Sequence, residues 1–346
     1  MRRVAALIAK PARYLRVGLM PIEVVVGLEL HAKLNIGSKL FSGELGLVHP
    51  LDEGMPGSLP VLNSTRLGFL AALARLLDSR LASVASFSRK SYFCVDLPLG
   101  YQLTQELEPI MAGGGVCLRS SHVRRERDVG FIKIGLEHDS GRFVASKTQV
   151  EFVRAGVGLM EMATCPCVDG CALKAIVAKL RLALKAIGAC EGLMADADLR
   201  FDVNVSASLP LAALSCRTEV KNVNWLTMAD ELVAREAVRA LCGSRRETRA
   251  ARSPWLATSA SRRKELSLEY RHARDADLPA VKLWWRSCLT RQLWVESYWG
   301  LSHGVATTFE LWPSGVFTAS GFDRLLLALK LGEWRCWRAR LAAARK

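Results

Sequence analysis

From Ile22 to Leu34 the chain alternates at a two-residue period. Ile22, Val24, Val26, Leu28, Leu30 and Leu34 fall on one face, and Glu23, Gly27, Glu29, His31 and Lys33 on the other. Successive side chains of a strand point to opposite sides, so this segment predicts a strand with one buried and one polar face. Further on, Leu67, Leu70, Ala74, Leu77 and Leu81 recur at three and four residues behind Asn63 and Ser64, which predicts a capped helix over 63–81. Segments 130–142 and 155–164 read as strands, the first running into an Asp-Ser-Gly turn. A longer helix is predicted from Ala172 to Ile187, with Leu173, Ile176, Val177, Leu180, Leu184 and Ile187 as its apolar stripe and Gly188 as its stop. Its outer face is expected to carry Lys174, Lys179, Arg181 and Lys185. Strands and helices interleave without a regular βαβ rhythm, and the fold class that follows is α+β.

Composition sharpens this in a few places. With 346 residues, half of them hydrophobic, the chain can form one large or two ordinary domains with a real core. Its 48 Lys and Arg against 33 Asp and Glu leave a formal charge of +15, which favours a polyanionic partner such as nucleic acid or an anionic membrane surface. No apolar run is long enough to predict a membrane span. The ten cysteines lack the spacing of a disulfide framework and read as reduced intracellular thiols; Cys165, Cys167 and Cys171 lack the fourth ligand of a structural zinc site. Residues 1–20 are basic, and no acid precedes Glu23; this is the composition of a transit peptide and predicts a mitochondrial location, with a plastid as the alternative. Segment 240–275 is dense in Arg, Lys, Ser and Ala and reads as mobile or facing nucleic acid. All nine tryptophans lie from Trp225 onward, and residues 281–346 read as a short, Trp-rich, helical C-terminal region. Within it "SGFDRLLLALKLGEW" resembles the last motif of class II tRNA synthetases, and an amphipathic helix accounts for it equally well.

The chain has no P-loop, no dinucleotide-binding glycine motif after a strand, and no serine-hydrolase or zincin signature. What remains is a set of acids at the ends of strand-like runs: Glu29 with His31, Glu137 beside His138 and Asp139, and Glu161. Their flanks, "GLEL", "IGLE" and "GLME", are apolar, which places each carboxylate at the rim of a core, where a charge needs a metal or a partner.

Several longer stretches then fall into one order. "EVVVGLELHAKLNIGSKLFSG" (23–43), "MPGSLPVLN" (55–63), "FSRKSYFCVDLPLGYQLTQ" (87–105), "VRAGVGLMEM" (153–162), "LRFDVNVS" (199–206), "RTEVKNVNW" (217–225) and "EYRHARDADLP" (269–279) resemble the B subunit of the glutamyl-tRNA(Gln) amidotransferase family. The resemblance implies a cradle domain over 21–280, built on a mixed or antiparallel sheet with flanking helices. It also implies an activity: ATP-dependent phosphorylation of the glutamyl side chain of misacylated Glu-tRNA(Gln), followed by amidation. Ammonia would come from an amidase A subunit, with a small C subunit joining the two. ATP and Mg²⁺ are the implied cofactors. Residue by residue, the family's metal positions fall on Glu29, His31, Glu137 and Glu161, with His31 acting through water or on the substrate. Lys90 and Tyr92 match positions near the family's active site and ammonia path, Asp277 matches the acid of its E-P-D-L-P segment, and the resemblance makes these three the expected catalytic residues.

The departures define an alternative, a tRNA-binding or scaffold subunit without the chemistry. The second Glu of the family's M-E-E-D is His138, the acids after L-I-E-I are Cys165 and Cys167, and the Lys of D-L-P-K-G-Y-Q is Leu99. The C-P-x-C pair of many bacterial members is Leu51-Asp52-Glu53-Gly54, so that zinc site is expected to be absent. The residues after Pro279 do not resemble the family's tRNA-gripping tail.

Overall fold

The computed structural model describes residues 13–17, 20–64, 67–118, 127–144, 146–166, 170–194, 197–210, 212–221, 223, 229–242, 247–252, 257–263, 272–285 and 293–297. In chain order the first strands are β1 (Arg13–Val17), β2 (Met20–Lys33), β3 (Arg80–Leu81), β4 (Val84–Ala85), β5 (Ser88–Ser91), β6 (Tyr101–Thr104), β7 (Met111–Ala112) and β8 (Gly115–Leu118). They are followed by β9 (Arg127–His138), β10 (Arg142–Val144), β11 (Gln149–Glu151), β12 (Gly158–Thr164), β13 (Leu199–Ser208) and β14 (Thr218–Lys221). The last are β15 (Glu247–Arg252), β16 (Ala257–Arg263), β17 (Ala273–Arg274), β18 (Val281–Trp285) and β19 (Leu293–Ser297). Among the described residues three helices, α1 (Phe69–Leu76), α2 (Gly170–Ala186) and α3 (Ala229–Leu241), complete an α+β architecture.

An eleven-stranded sheet runs β16-β15-β14-β13-β2-β12-β9-β7-β3, with β1 added to β2 and β8 to β9. The β14/β15 pair is parallel and the other pairs are antiparallel. The alternation of β2 decides how this sheet is used. Val26, Leu28, Leu30 and Ala32 are fully or almost fully buried, and their cross-strand partners Met160, Met162, Phe201, Val203 and Val205 share that face. Leu173, Ile176, Val177, Leu180 and Leu184 of α2 and Leu232, Val233 and Ala237 of α3 join the same apolar cluster. The sheet's opposite face is therefore left to the polar set. Among the described residues no helix is long and apolar enough to cross a membrane.

Helix α2 meets its sequence expectation at its C-terminal end, while it is described from Gly170, two residues before the expected Ala172. Gly188 takes a φ of +71°, and the Ala189 N–H donates to the Leu184 carbonyl at 2.9 Å, which closes the helix. Its expected basic face needs a correction: Lys179 is buried, and its Nζ donates to the Cys117 carbonyl at 2.6 Å. Helix α1 is shorter than the 63–81 predicted. The Asn63 amide donates to Ser38 Oγ at 2.6 Å rather than capping the helix, and Gly68 holds the N-cap position without a side-chain bond. At the other end Asp78 adopts a φ of +50° and the Ser79 N–H reaches the Ala74 carbonyl, so Leu81 falls in β3.

Two further expectations change. Within the segment read as mobile or facing nucleic acid, β15 and β16 form an antiparallel pair on the sheet, tied by Arg249, whose guanidinium bonds Thr258 Oγ1 at 2.7 Å and its carbonyl at 2.5 Å. The described part of the region read as helical, β18 and β19, is an antiparallel pair joined to β4. The "SGFDRLLLALKLGEW" segment and most of the expected leader lie outside the described residues.

Loop 42–57, which lacks the cysteine pair of many bacterial members, is pinned by charge. Lys39 is fully buried and its Nζ lies 2.5 Å from Asp52 Oδ2; Asp52 also accepts from Ser42 Oγ at 3.0 Å and from the His49 N–H at 2.9 Å. Gly156, at a φ of +81°, packs against this carboxylate, and a Cβ there would meet Asp52 Oδ1 at 2.5 Å. Removing one partner of a buried pair strands the other charge. Asp52→Ala is therefore expected to lower the unfolding free energy by about 3–5 kcal/mol in urea titrations; a loss below about 1 kcal/mol would show that the pair does not hold the loop.

Candidate active site

The polar face of the sheet has its centre on β2. Glu29 and His31 are two residues apart and so point the same way, with His31 Nε2 lying 3.6 Å from Glu29 Oε1. Directly across from His31 stands Glu161 of β12, and across from Glu161 stands Gly135 of β9. This register brings one ligand atom each of Glu29, His31 and Glu161 within 4.8 Å of one another, with Glu161 buried and the other two half-buried. On the other side of β2, Arg200 and Asp202 of β13 lie opposite His31 and Glu29.

A second, three-stranded sheet, β17-β5-β6, contributes the polar side chains that meet Glu137. In it Lys90 pairs with Gln102 and Ser88 with Thr104, which aligns these four side chains on one face. Glu137 of β9 is enclosed here: its Oε1 accepts from Gln102 Nε2 at 2.7 Å, Thr104 donates to it as well, and Lys90 and His31 add positive charge. Tyr92 enters one step back, its hydroxyl donating to Gln102 Oε1 at 3.1 Å. The structure thus gathers Glu29, His31 and Glu161, places Glu137 beside them but outside the 4.8 Å group, and sets Lys90 and Tyr92 around Glu137. Asp277 belongs elsewhere. It pairs with Arg89 at 2.5 Å, as does Asp275, and Arg89 lies 4.3 Å over the Tyr101 ring, on the face of the small sheet turned away from Lys90.

Electrostatics divide the two acids of this face. Burial alone would raise Glu137, but Lys90, His31, Thr104 and His138 overcome it and hold its carboxyl below the ordinary range. Glu161 is pushed the other way, by burial and by the neighbouring Glu137 and Glu29, with Lys133 and His31 only partly compensating. Lys133 Nζ lies 3.1 Å from Glu161 and also pairs with Glu106; burial pulls its ammonium down, yet these acids raise it overall. Lys221 is likewise raised, as Asp202, Glu219 and Glu29 outweigh burial. His138 is buried, its ring 5.9 Å from that of Phe41, and burial lowers it to about 4, so it stands neutral where the resemblance has an acid.

The donor set suits a hard divalent ion. Glu29 and Glu161 offer two carboxylates, and Mg²⁺ commonly takes one or two while keeping several waters. Burial and the neighbouring Glu137 and Glu29 raise Glu161, and Lys133 and His31 do not fully offset them. Cys165 is buried, with burial raising its thiol, while Cys167 and the Cys171 side chain lie outside the described residues. Sequence reasoning missed Gln102, Thr104, Lys133 and Lys221; Gln102 and Thr104 alternate along "YQLT", a signal of one strand face, but nothing local showed what that face meets.

A family model described as the GatB/GatE catalytic domain matches residues 24–286. The chain belongs to this family. Among its GatB relatives, each named as the B subunit of an aspartyl/glutamyl-tRNA(Asn/Gln) amidotransferase, that of Methylocella silvestris is 35% identical over 289 residues, 78% of this chain and 58% of that protein. That of Anaplasma phagocytophilum is 36% identical over 279 residues, 75% of this chain and 57% of that protein. The chain therefore spans somewhat over half the length of the curated relatives it matches.

Within this GatB/GatE domain, His138 makes the pH dependence of folding specific. Its folded value of about 4 lies below the ordinary 6.5, so between these values the unfolded chain takes up a proton that the native chain refuses. Stability is thus lost as pH falls from 7 toward 4, by up to about 3 kcal/mol from this group. Urea unfolding of the wild type and His138→Gln at pH 7 and pH 4 tests it: the variant is expected to lose less stability on acidification by about that amount.

Proposed function

We propose that the chain is the catalytic B subunit of a tRNA-dependent amidotransferase, which activates the glutamyl side chain of Glu-tRNA(Gln) with ATP for amidation by ammonia from an amidase partner. The observation that carries this reading is the convergence of Glu29, His31 and Glu161 on one polar sheet face, in a chain whose relatives bear that name. In the proposed reaction a carboxylate oxygen of the substrate bonds to the γ-phosphorus of ATP and ADP leaves. Ammonia then bonds to the carbonyl carbon, the bond to the phosphate oxygen breaks, and inorganic phosphate departs.

Glu29 and Glu161 would hold Mg²⁺, with His31 beside them, and the ion would neutralise charge on the transferring phosphoryl group. Glu137, kept ionised by Lys90 and its hydrogen bonds, adds negative charge at the edge of this site. Lys133, shared between Glu161 and Glu106, has a second carboxylate to rest on when Glu161 turns to a cation. The charge pattern of the face, acids in the middle and Lys133, Lys221 and Arg200 around them, suits a polyanionic substrate.

A scaffold role without chemistry is favoured by the departures at Cys165 and Leu99 and by the buried neutral His138 in place of an acid. One assay separates the two. The purified chain, amidase and small subunits are incubated with Glu-tRNA(Gln), ATP, Mg²⁺ and glutamine, and Gln-tRNA(Gln) is measured. The expected outcome is amidation by the wild type and a loss of at least about a hundredfold in Glu161→Gln, since such an ion contributes several kcal/mol at the transition state. Undiminished activity in the variant would remove Glu161 from the mechanism, and no activity in any preparation would leave the scaffold role.

A further inference from the structure

Glu137 rests on a side chain that has no role in the reaction as proposed. Gln102, on β6, is almost fully buried, and its carboxamide uses both kinds of group. Nε2 donates to Glu137 Oε1 at 2.7 Å and to the His138 carbonyl at 2.8 Å, while Oε1 accepts from the Tyr92 hydroxyl at 3.1 Å. These partners define the amide's orientation. Rotating it by half a turn would set its oxygen against a carboxylate and a carbonyl and lose both donated bonds. The Tyr92 hydroxyl supports the amide from its other end by donating to Oε1.

Glu137 is buried and shares the polar sheet face with Glu161, one of the acids of the cation group. With little water to hold it, its carboxylate stays where its donors keep it, and repulsion from Glu161 would otherwise drive it elsewhere. Partners that orient groups at a metal site commonly matter ten- to a hundredfold in affinity or activity. We propose that Gln102 is a positioning residue of the cation site, which fixes the Glu137 carboxylate beside Glu29, His31 and Glu161, and that Tyr92 acts on this site through Gln102.

The proposal rests on the cation reading of the Glu29, His31 and Glu161 group, so the test measures cation binding directly. Free Mn²⁺ is followed by electron paramagnetic resonance in titrations of the full chain, with thermal melting recorded for each variant. Gln102→Met, which keeps the length and removes the hydrogen bonds, is expected to weaken Mn²⁺ binding by about 10–100-fold with the melting profile retained. Tyr92→Phe, which removes the hydrogen bond to Gln102 Oε1, is expected to weaken it by about two- to tenfold. Wild-type affinity in Gln102→Met, alongside a loss in Glu161→Gln, overturns the role of Gln102 and leaves the cation site standing. Absence of Mn²⁺ binding in the wild type overturns both. Should Gln102→Met fail to fold, Tyr92→Phe decides: weakened binding supports the positioning role and unchanged binding overturns it.

Discussion

The register between β2 and its two neighbours is the constraint on which the rest depends. With His31 opposite both Glu161 and Arg200, the buried Val26, Leu28, Leu30 and Ala32 of β2 meet apolar partners while Glu29 and His31 share the open face. A slip of one residue would turn Leu28 and Leu30 outward and drive Glu29 and His31 under α2 and α3. Burying unpaired charge there costs several kcal/mol per ion, so the apolar core and the candidate site are specified by the same pairing.

That arrangement creates a second problem, a layer of ionisable groups partly enclosed between sheet faces. The small sheet solves it for Glu137 by surrounding the acid with an amide, a hydroxyl and an ammonium. Glu161 receives less, and its raised proton affinity records the difference. Two nearby carboxylates held in opposite directions are a common way for a protein to reserve one negative charge while leaving another responsive to a cation or substrate. His138, next to Glu137 on β9 and so turned to the other side of the strand, is buried beside Phe41 as a neutral imidazole.

The same pairing of charge recurs away from the site. Lys39 and Asp52 hold a loop that lacks the family's cysteine pair, Arg89 gathers Asp275 and Asp277, and Lys179 is drawn into the interior by a carbonyl. In each case a long side chain was legible in the sequence as a charge, while its destination was not. Lys179 sits at a helical spacing that suggests solvent, yet its neighbour across space is Cys117, 62 residues away in the chain. Asp277 aligned with a family position expected to be catalytic, yet its geometry is that of an ion pair.

Local periodicity by itself determined the alternation of β2, the apolar stripe of α2 and its end at Gly188, because each depends on residues a few positions apart. It also marked Glu29, His31, Glu137 and Glu161 as acids and imidazole poorly placed for ordinary burial. Only the tertiary structure decided that Glu161 stands across from His31, that Glu137 is held one step aside by Gln102, and that α1 stops at an aspartate rather than at Leu81. The first follows from strand pairing between segments more than a hundred residues apart, the second from a hydrogen bond between two sheets, and the third from an aspartate that leaves the helical region at a place the apolar spacing does not mark.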